Sequence, residues 1–185
     1  MGYNLDQMAE LATNVVQRSV TVPGVQPKVS LELVRNVLAE GDKGRLTIVG
    51  PLGGNYILKP PHAQYSEMPP NEHLTMRIAE SFGLQVVPSS LIRLSSGELA
   101  YITKRIDRTP EGEKMHMLDM FQLLEAFDKY KGSMERVGKA LANYAENTLL
   151  DQSNFFELTV FCFLTGNNDM HLKNFSMIAR SCRIT

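Results

Sequence analysis

The sequence predicts an α+β fold in two parts, strand-rich first and helical second. Two observations carry this. From Val29 to about Ile106, short apolar runs alternate with polar residues and are separated by Pro, Gly and Ser. After Asp107 the apolar runs lengthen and take helical spacing. The change falls between Ile106 and Glu113, so the expected domains are residues 1–106 and 107–185. The second part holds only about eighty residues, small for an independent core.

Each element follows from local signals. Between Asn4 and about Gln17, Leu5, Met8, Ala12, Val15 and Val16 form a helical stripe, and Asn4 with Gln7 makes a capping box. Arg18 to Lys28 carries Pro23, Gly24 and Pro27 and reads as a loop. Val29, Leu31 and Leu33 alternate as in a strand. Leu46–Val49 is a second strand, and Tyr56–Lys59 is a third, stopped by Pro60 and Pro61. His62–Pro70 is expected as a polar loop, then Asn71–Phe82 as a helix stopped by Gly83. Ser90–Leu94 and Glu98–Ile106 form a hairpin through Ser95, Ser96 and Gly97. Met117–Phe127, Met134–Leu150 and Asn154–Thr165 are expected as three helices.

Composition narrows the function classes. A formal net charge of −1 gives no overall attraction to nucleic acid or anionic membrane, and no basic run supplies a local one. No stretch is apolar enough for a membrane span, and the N-terminus lacks the pattern of a signal peptide. Cys162 and Cys182 have neither metal-ligand nor redox spacing, which fits reduced thiols in a cytoplasmic protein.

The chemistry concentrates in Gly166-Asn167-Asn168-Asp169-Met170-His171-Leu172-Lys173-Asn174-Phe175-Ser176, just after the apolar Val160–Leu164. Asp169 and Asn174 stand five residues apart. A protein-kinase catalytic loop uses that spacing for an Asp that takes the substrate hydroxyl proton and an Asn that holds magnesium. Lys173 would offset charge on the transferred phosphoryl group, and His171 would brace the loop or contact the nucleotide. A polar loop after a buried helix remains the plainer reading. A zinc site on His171 and Asp169 is weaker, because no second His or Cys has suitable spacing.

Upstream, Lys59 ends a strand and Glu72 lies in the first turn of the expected helix, on a stripe with Met76 and Ala79. A phosphate-neutralising lysine steadied by a helix glutamate needs this arrangement. A solvated lysine and a glutamate facing the helix dipole would look the same. Gly24, with Gln26 and Lys28 after it, could bring backbone N–H groups to an anion, but an ordinary Pro-Gly turn is the stronger reading of those residues alone. Ser19 and Thr21 beside it are potential phosphate acceptors. Thr103–Asp107 ends the last strand of the first part, where a two-lobed kinase has its hinge.

Together these pieces resemble the HipA family of bacterial serine/threonine kinases, the toxins of toxin–antitoxin pairs. The resemblance rests on Thr21-Val22-Pro23-Gly24-Val25-Gln26-Pro27-Lys28, Tyr56-Ile57-Leu58-Lys59-Pro60, Asn71-Glu72, Lys104-Arg105-Ile106-Asp107-Arg108 and Gly166 through Ser176, in the family's order. It implies a two-lobed kinase using ATP and magnesium. Lys59 then binds nucleotide phosphates, the backbone from Lys104 to Ile106 meets adenine, Asp169 is the catalytic base and Asn174 a magnesium ligand. Autophosphorylation on the Gly24 loop is implied at Thr21, with Ser19 as a second acceptor; the family's usual acceptor is a serine. Aminoacyl-tRNA synthetases are the implied substrates, and a small HipB-like helix-turn-helix antitoxin the implied partner.

Two departures shape the expectation. Only eighteen residues precede Ser19, as in the shorter HipT type, whose missing N-terminal subdomain a separate HipS-like protein supplies. The family's second metal-binding Asp lies downstream of the catalytic loop, after a strand that Phe175–Arg180 could begin. The expectation is therefore a C-terminally truncated kinase of little or no activity. The alternative is a non-catalytic fragment that binds nucleotide or antitoxin.

Overall fold

The computed structural model describes residues 4, 6–7, 10, 28–36, 43–48, 53–62 and 64–179. The chain divides into two compact units, Met1–Glu80 with Gln85–Gly112, and Ser81–Leu84 with Glu113–Thr185. Near the N-terminus, Asn4 and Gln7 exchange the two hydrogen bonds of a capping box, 3.0 and 2.8 Å long.

The alternating runs of the first unit form strands β1 (Val29–Asn36), β2 (Lys43–Ile48), β3 (Tyr56–Lys59), β4 (Ser89–Arg93) and β5 (Leu99–Lys104). They make one antiparallel sheet in the order β2-β1-β3-β5-β4. Val29, Leu31, Leu58, Leu94, Ala100 and Ile102 are buried together as its core. Leu58 stands opposite Ile102 in the ladder, and Lys59 opposite Tyr101 on the other face.

Helix α1 (Met68–Ser81) starts earlier than the expected Asn71. Pro69 and Pro70 suggest a loop, yet both sit in the first helical turn, where a proline's missing N–H removes no intrahelical bond. Pro69 is also buried. Gly83, at φ +89°, takes the left-handed conformation that stops the helix.

In the second unit two expectations are corrected. Of the expected helix Met117–Phe127 only Met120–Leu123 is helical, and Met117–Asp119 is not. It forms strand β6, paired antiparallel with β7 (Ser176–Ile178). Asp119 then caps the short helix α2 (Met120–Leu123) through a capping box with Gln122. The expected helix Met134–Leu150 breaks at Ala145 to Asn147: α3 (Met134–Tyr144) ends before the break, and Thr148–Leu150 join the expected Asn154–Thr165 helix in one longer helix, α4 (Thr148–Leu164). The core joins Met120, Val137, Ala140 and Leu141 to Leu172 and Phe175. No helix among the described residues is long and apolar enough to cross a membrane.

Candidate functional site

In the first unit, β3 places Lys59 at its C-terminal end and α1 places Glu72 one turn in. Their side chains meet in an ion pair, Lys59 Nζ to Glu72 Oε1, with 20% and 31% of each side chain exposed. Lys59 Nζ also lies 5.6 Å from the centre of the buried Tyr101 ring. The lysine is thus held at its ammonium yet keeps access to solvent. Lys28, half-buried, leads into β1. Ser19, Thr21, Gly24 and Gln26 lie outside the described residues.

At the end of β5 the backbone turns sharply. The Lys104 N–H donates to Pro88 O (2.9 Å) and the Arg105 N–H to Asn55 O (2.8 Å). Asp107 organises the turn. Arg105 binds its carboxylate with two nitrogens, Nε to Oδ1 at 2.8 Å and Nη2 to Oδ2 at 2.7 Å. Arg108 Nη1 reaches Oδ2 at 2.6 Å and the Asp107 carbonyl at 2.9 Å. Burial pushes the Asp107 carboxyl up, but the two arginines outweigh it and hold the group below the ordinary carboxylate value. Ile106 stands out from this turn, 55% exposed.

In the second unit, α4 ends at Leu164 with Thr165 as its C-cap, and Gly166, at φ +68°, turns the chain out of the helix. Asn167 Oδ1 accepts the Asp169 N–H at 3.0 Å, a side-chain turn that aims Asp169 outward. The Asp169 side chain is 72% exposed. Asn174 Nδ2 donates to the Asp169 carbonyl and, at 3.1 Å, to Asp169 Oδ2. A one-turn 3₁₀ helix, Leu172–Asn174, brings the two residues together. With Nδ2 engaged on Asp169, Asn174 Oδ1 is left as a hard oxygen donor beside a carboxylate, which suits magnesium better than zinc. No group of three or more His, Cys, Asp or Glu among the described residues is placed to hold a metal. Lys173 Nζ lies 4.7 Å from the centre of the Phe121 ring. His171 is buried, its Nε2 3.4 Å from Asp169 Oδ1.

Several residues of this loop's support escape sequence reasoning. The segment between α2 and α3 turns at Asp128, whose Oδ1 accepts the Tyr130 N–H at 2.9 Å. Lys129 O then accepts the Leu172 N–H at 3.1 Å. The Tyr130 ring meets His171 edge-on, with centres 5.5 Å apart. Gly132 lies so close to Leu172 that a Cβ there would come within 2.5 Å of Leu172 Cδ2. Asp128 and Gly132 are the usual turn residues, but nothing local says which distant segment the turn supports. The sequence shows Asp107 as the end of the hinge segment and Arg108 only as part of a resemblance; their buried ion cluster is not legible there.

Comparison with known proteins adds the family. Residues 20–185 match the HipA-like C-terminal domain. A Haemophilus influenzae protein named "Putative kinase" is 30% identical over 175 residues, covering 88% of this chain and 48% of the relative. The "Serine/threonine-protein kinase toxin HipA" of Shewanella oneidensis is 24% identical over 177 residues, covering 85% of this chain and 39% of that protein. The solved complex of the Shewanella oneidensis toxin–antitoxin system, HipA and HipB with operator DNA, contains the same fold. Its TM-score is 0.68 at 24% identity, covering 91% of this chain and 46% of that one. The chain therefore spans less than half the length of these relatives.

Proposed function

The chain belongs to the HipA-like C-terminal domain family, and on that premise we propose that it carries the phosphate-binding and hydroxyl-activating residues of an ATP- and magnesium-dependent serine/threonine protein kinase. The observation that carries this reading is the Lys59–Glu72 ion pair. It joins a strand-end lysine to a helix glutamate, the arrangement that positions a cation for nucleotide phosphates. When bound, ATP supplies the phosphoryl group and magnesium the charge that screens it. Lys59 holds the phosphates, and Glu72 keeps its ammonium in place. The turn from Lys104 to Ile106 receives the adenine edge, with Ile106 offering apolar surface. Asp169 orients the acceptor hydroxyl and takes its proton, while Asn174 keeps that carboxylate in place and offers Oδ1 to the metal. Lys173 and His171 complete the loop, the first as a charge near the transferred group and the second as its brace.

The finer assignments belong to the same proposal. Autophosphorylation falls on Thr21 or Ser19, the protein substrate is of the aminoacyl-tRNA synthetase class, and a HipB-like antitoxin is the partner. A HipS-like protein is a further partner. Support for the antitoxin comes from the HipA–HipB complex that shares the fold.

Titration with a fluorescent ATP analogue and magnesium tests the reading. The wild-type chain should bind, and Lys59→Ala should weaken binding about tenfold or more, the worth of a charged hydrogen-bonding contact. Equal affinity in both, or no binding by the wild type, would overturn it. Binding without phosphotransfer to Thr21, Ser19 or added protein would favour the non-catalytic alternative.

A further inference from the structure

Asp169 is the residue on which the kinase reading turns, and its neighbour His171 has a proton to place. In a neutral imidazole one nitrogen is a donor and the other an acceptor, and the surroundings choose which. Usually the hydrogen bond made by one nitrogen fixes the state of the other. Here His171 Nδ1 is buried and has no partner among the described residues. It leaves the choice to Nε2.

Two groups compete for Nε2, and their demands are opposite. Asp169 Oδ1, 3.4 Å away, can only accept and would require Nε2–H. Lys129 Nζ, also 3.4 Å away, can only donate and would require a bare Nε2. Burial separates the competitors. The Asp169 side chain is 72% exposed, so water satisfies much of its demand, and Asn174 Nδ2 already donates to its other oxygen. Lys129 is half-buried, with its ammonium 4.6 Å from the Tyr130 ring centre and its carbonyl held by the Leu172 N–H. A half-buried ammonium has fewer waters to turn to than an exposed carboxylate, so its bond to the imidazole is worth more.

We propose that Lys129 is a positioning residue that sets the tautomer of His171. By donating to Nε2 it places the ring proton on Nδ1, and so leaves Asp169 Oδ1 free for the acceptor hydroxyl. Without Lys129, Nε2 takes the proton and donates it to Asp169, occupying the oxygen that the kinase reading assigns to the substrate. The tautomer assignment stands on the geometry of this loop; its catalytic meaning rests on that kinase reading.

The ring nitrogens of His171 can be read directly in long-range proton–nitrogen spectra of the ¹⁵N-labelled 185-residue chain, with His171→Gln identifying the signals. Wild type and Lys129→Arg should show protonated Nδ1 and bare Nε2. Lys129→Met, which keeps the stem and the backbone carbonyl, should move the tautomer ratio toward Nε2–H by about tenfold or more, the worth of a hydrogen bond from a charged donor. Nε2–H in the wild-type chain overturns the proposal without any variant. So does an unchanged tautomer in a folded Lys129→Met chain. A phosphotransfer assay with ATP and magnesium separates the two readings. Transfer lowered in kcat by Lys129→Met and restored by Lys129→Arg supports the positioning role. Absence of transfer by the wild type would count against the kinase reading and leave the tautomer assignment to stand or fall on the spectra.

Discussion

Lys59 and Asp169 are held in opposite ways. Lys59 stands on β3, which pairs with β1 on one side and β5 on the other, and its partner Glu72 stands on α1. The ladder fixes its Cα, so the ion pair has only to aim the side chain. Asp169 stands between Gly166 and a one-turn 3₁₀ helix, outside any sheet or long helix. Its shape comes from Leu172 and Phe175 sunk into the core and from the Lys129–Gly132 turn behind it. A site residue on a central strand can lose its partner and keep its place. A site residue on a loop keeps its place only while the segments behind it do.

The buried cluster at Asp107 is a third case, in which charge holds the turn, and removing it should have the largest effect. Asp107→Ala leaves Arg105 and Arg108 without their carboxylate and should cost about 3–5 kcal/mol in urea unfolding of the first unit. The sign of its pH dependence follows from the lowered carboxyl. The stability it provides is complete above the unfolded-state value of about 4 and is lost as pH falls through the folded value. The wild type should therefore lose more stability on acidification than Asp107→Ala. Equal acid slopes would mean that the cluster does not hold the turn.

Leu172→Ala comes next. It empties a fully buried position and should cost about 2–5 kcal/mol. Hydrogen exchange should rise across residues 167–175 while β3 keeps its protection. Protection of the loop left at wild-type level would break the contrast between the two regions. Gly132→Ala approaches the same contact from the other side. The new Cβ meets Leu172 Cγ at 2.7 Å as well as its methyl carbons, so the fully buried side chain has to move. A cost of about 1–3 kcal/mol is expected, measured by the same unfolding. The smallest effect on stability belongs to Glu72→Gln. The pair it breaks is partly exposed, so less than about 1 kcal/mol is expected, while affinity for an ATP analogue falls. A loss of stability as large as that of Leu172→Ala would show that the first unit leans on its site pair after all.

This contrast also marks what the sequence made legible. Tyr56–Lys59 and its proline stop, the hairpin expected at Ser90–Leu94 and Glu98–Ile106 and the Gly83 helix end all carry their signals within a few residues, and all three stand in the structure, the hairpin as Ser89–Arg93 and Leu99–Lys104. Asn71–Glu72 and Lys59 could be paired on paper because both sit on regular elements. The start of α1 was hidden because Pro69 and Pro70 serve equally well in a loop and in a first helical turn. The break at Ala145 to Asn147 contains neither Gly nor Pro, so the helical pattern ran through it. Met117–Asp119 is a strand only because Ser176–Ile178 lies beside it, and three residues hold no alternation to read. Lys129, Tyr130 and Gly132 were silent for the same reason: their partners are His171 and Leu172, across two helices of sequence.

The pairing of β6 with β7 has a consequence for synthesis. Met117 is matched to Ile178 and Asp119 to Ser176, and Met120 N–H bonds Phe175 O at 2.8 Å, so everything from α2 to the Asp169 loop lies inside one closed ring of chain. Closing a ring of that size costs entropy before the contact returns anything. As the polypeptide leaves the ribosome, the five-stranded sheet and Lys59 are complete long before Ser176 emerges. The Asp169 loop gains the support of this pairing only when β7 is made. On the proposed reading, a nascent chain would hold its phosphate-binding lysine before it acquires its catalytic base.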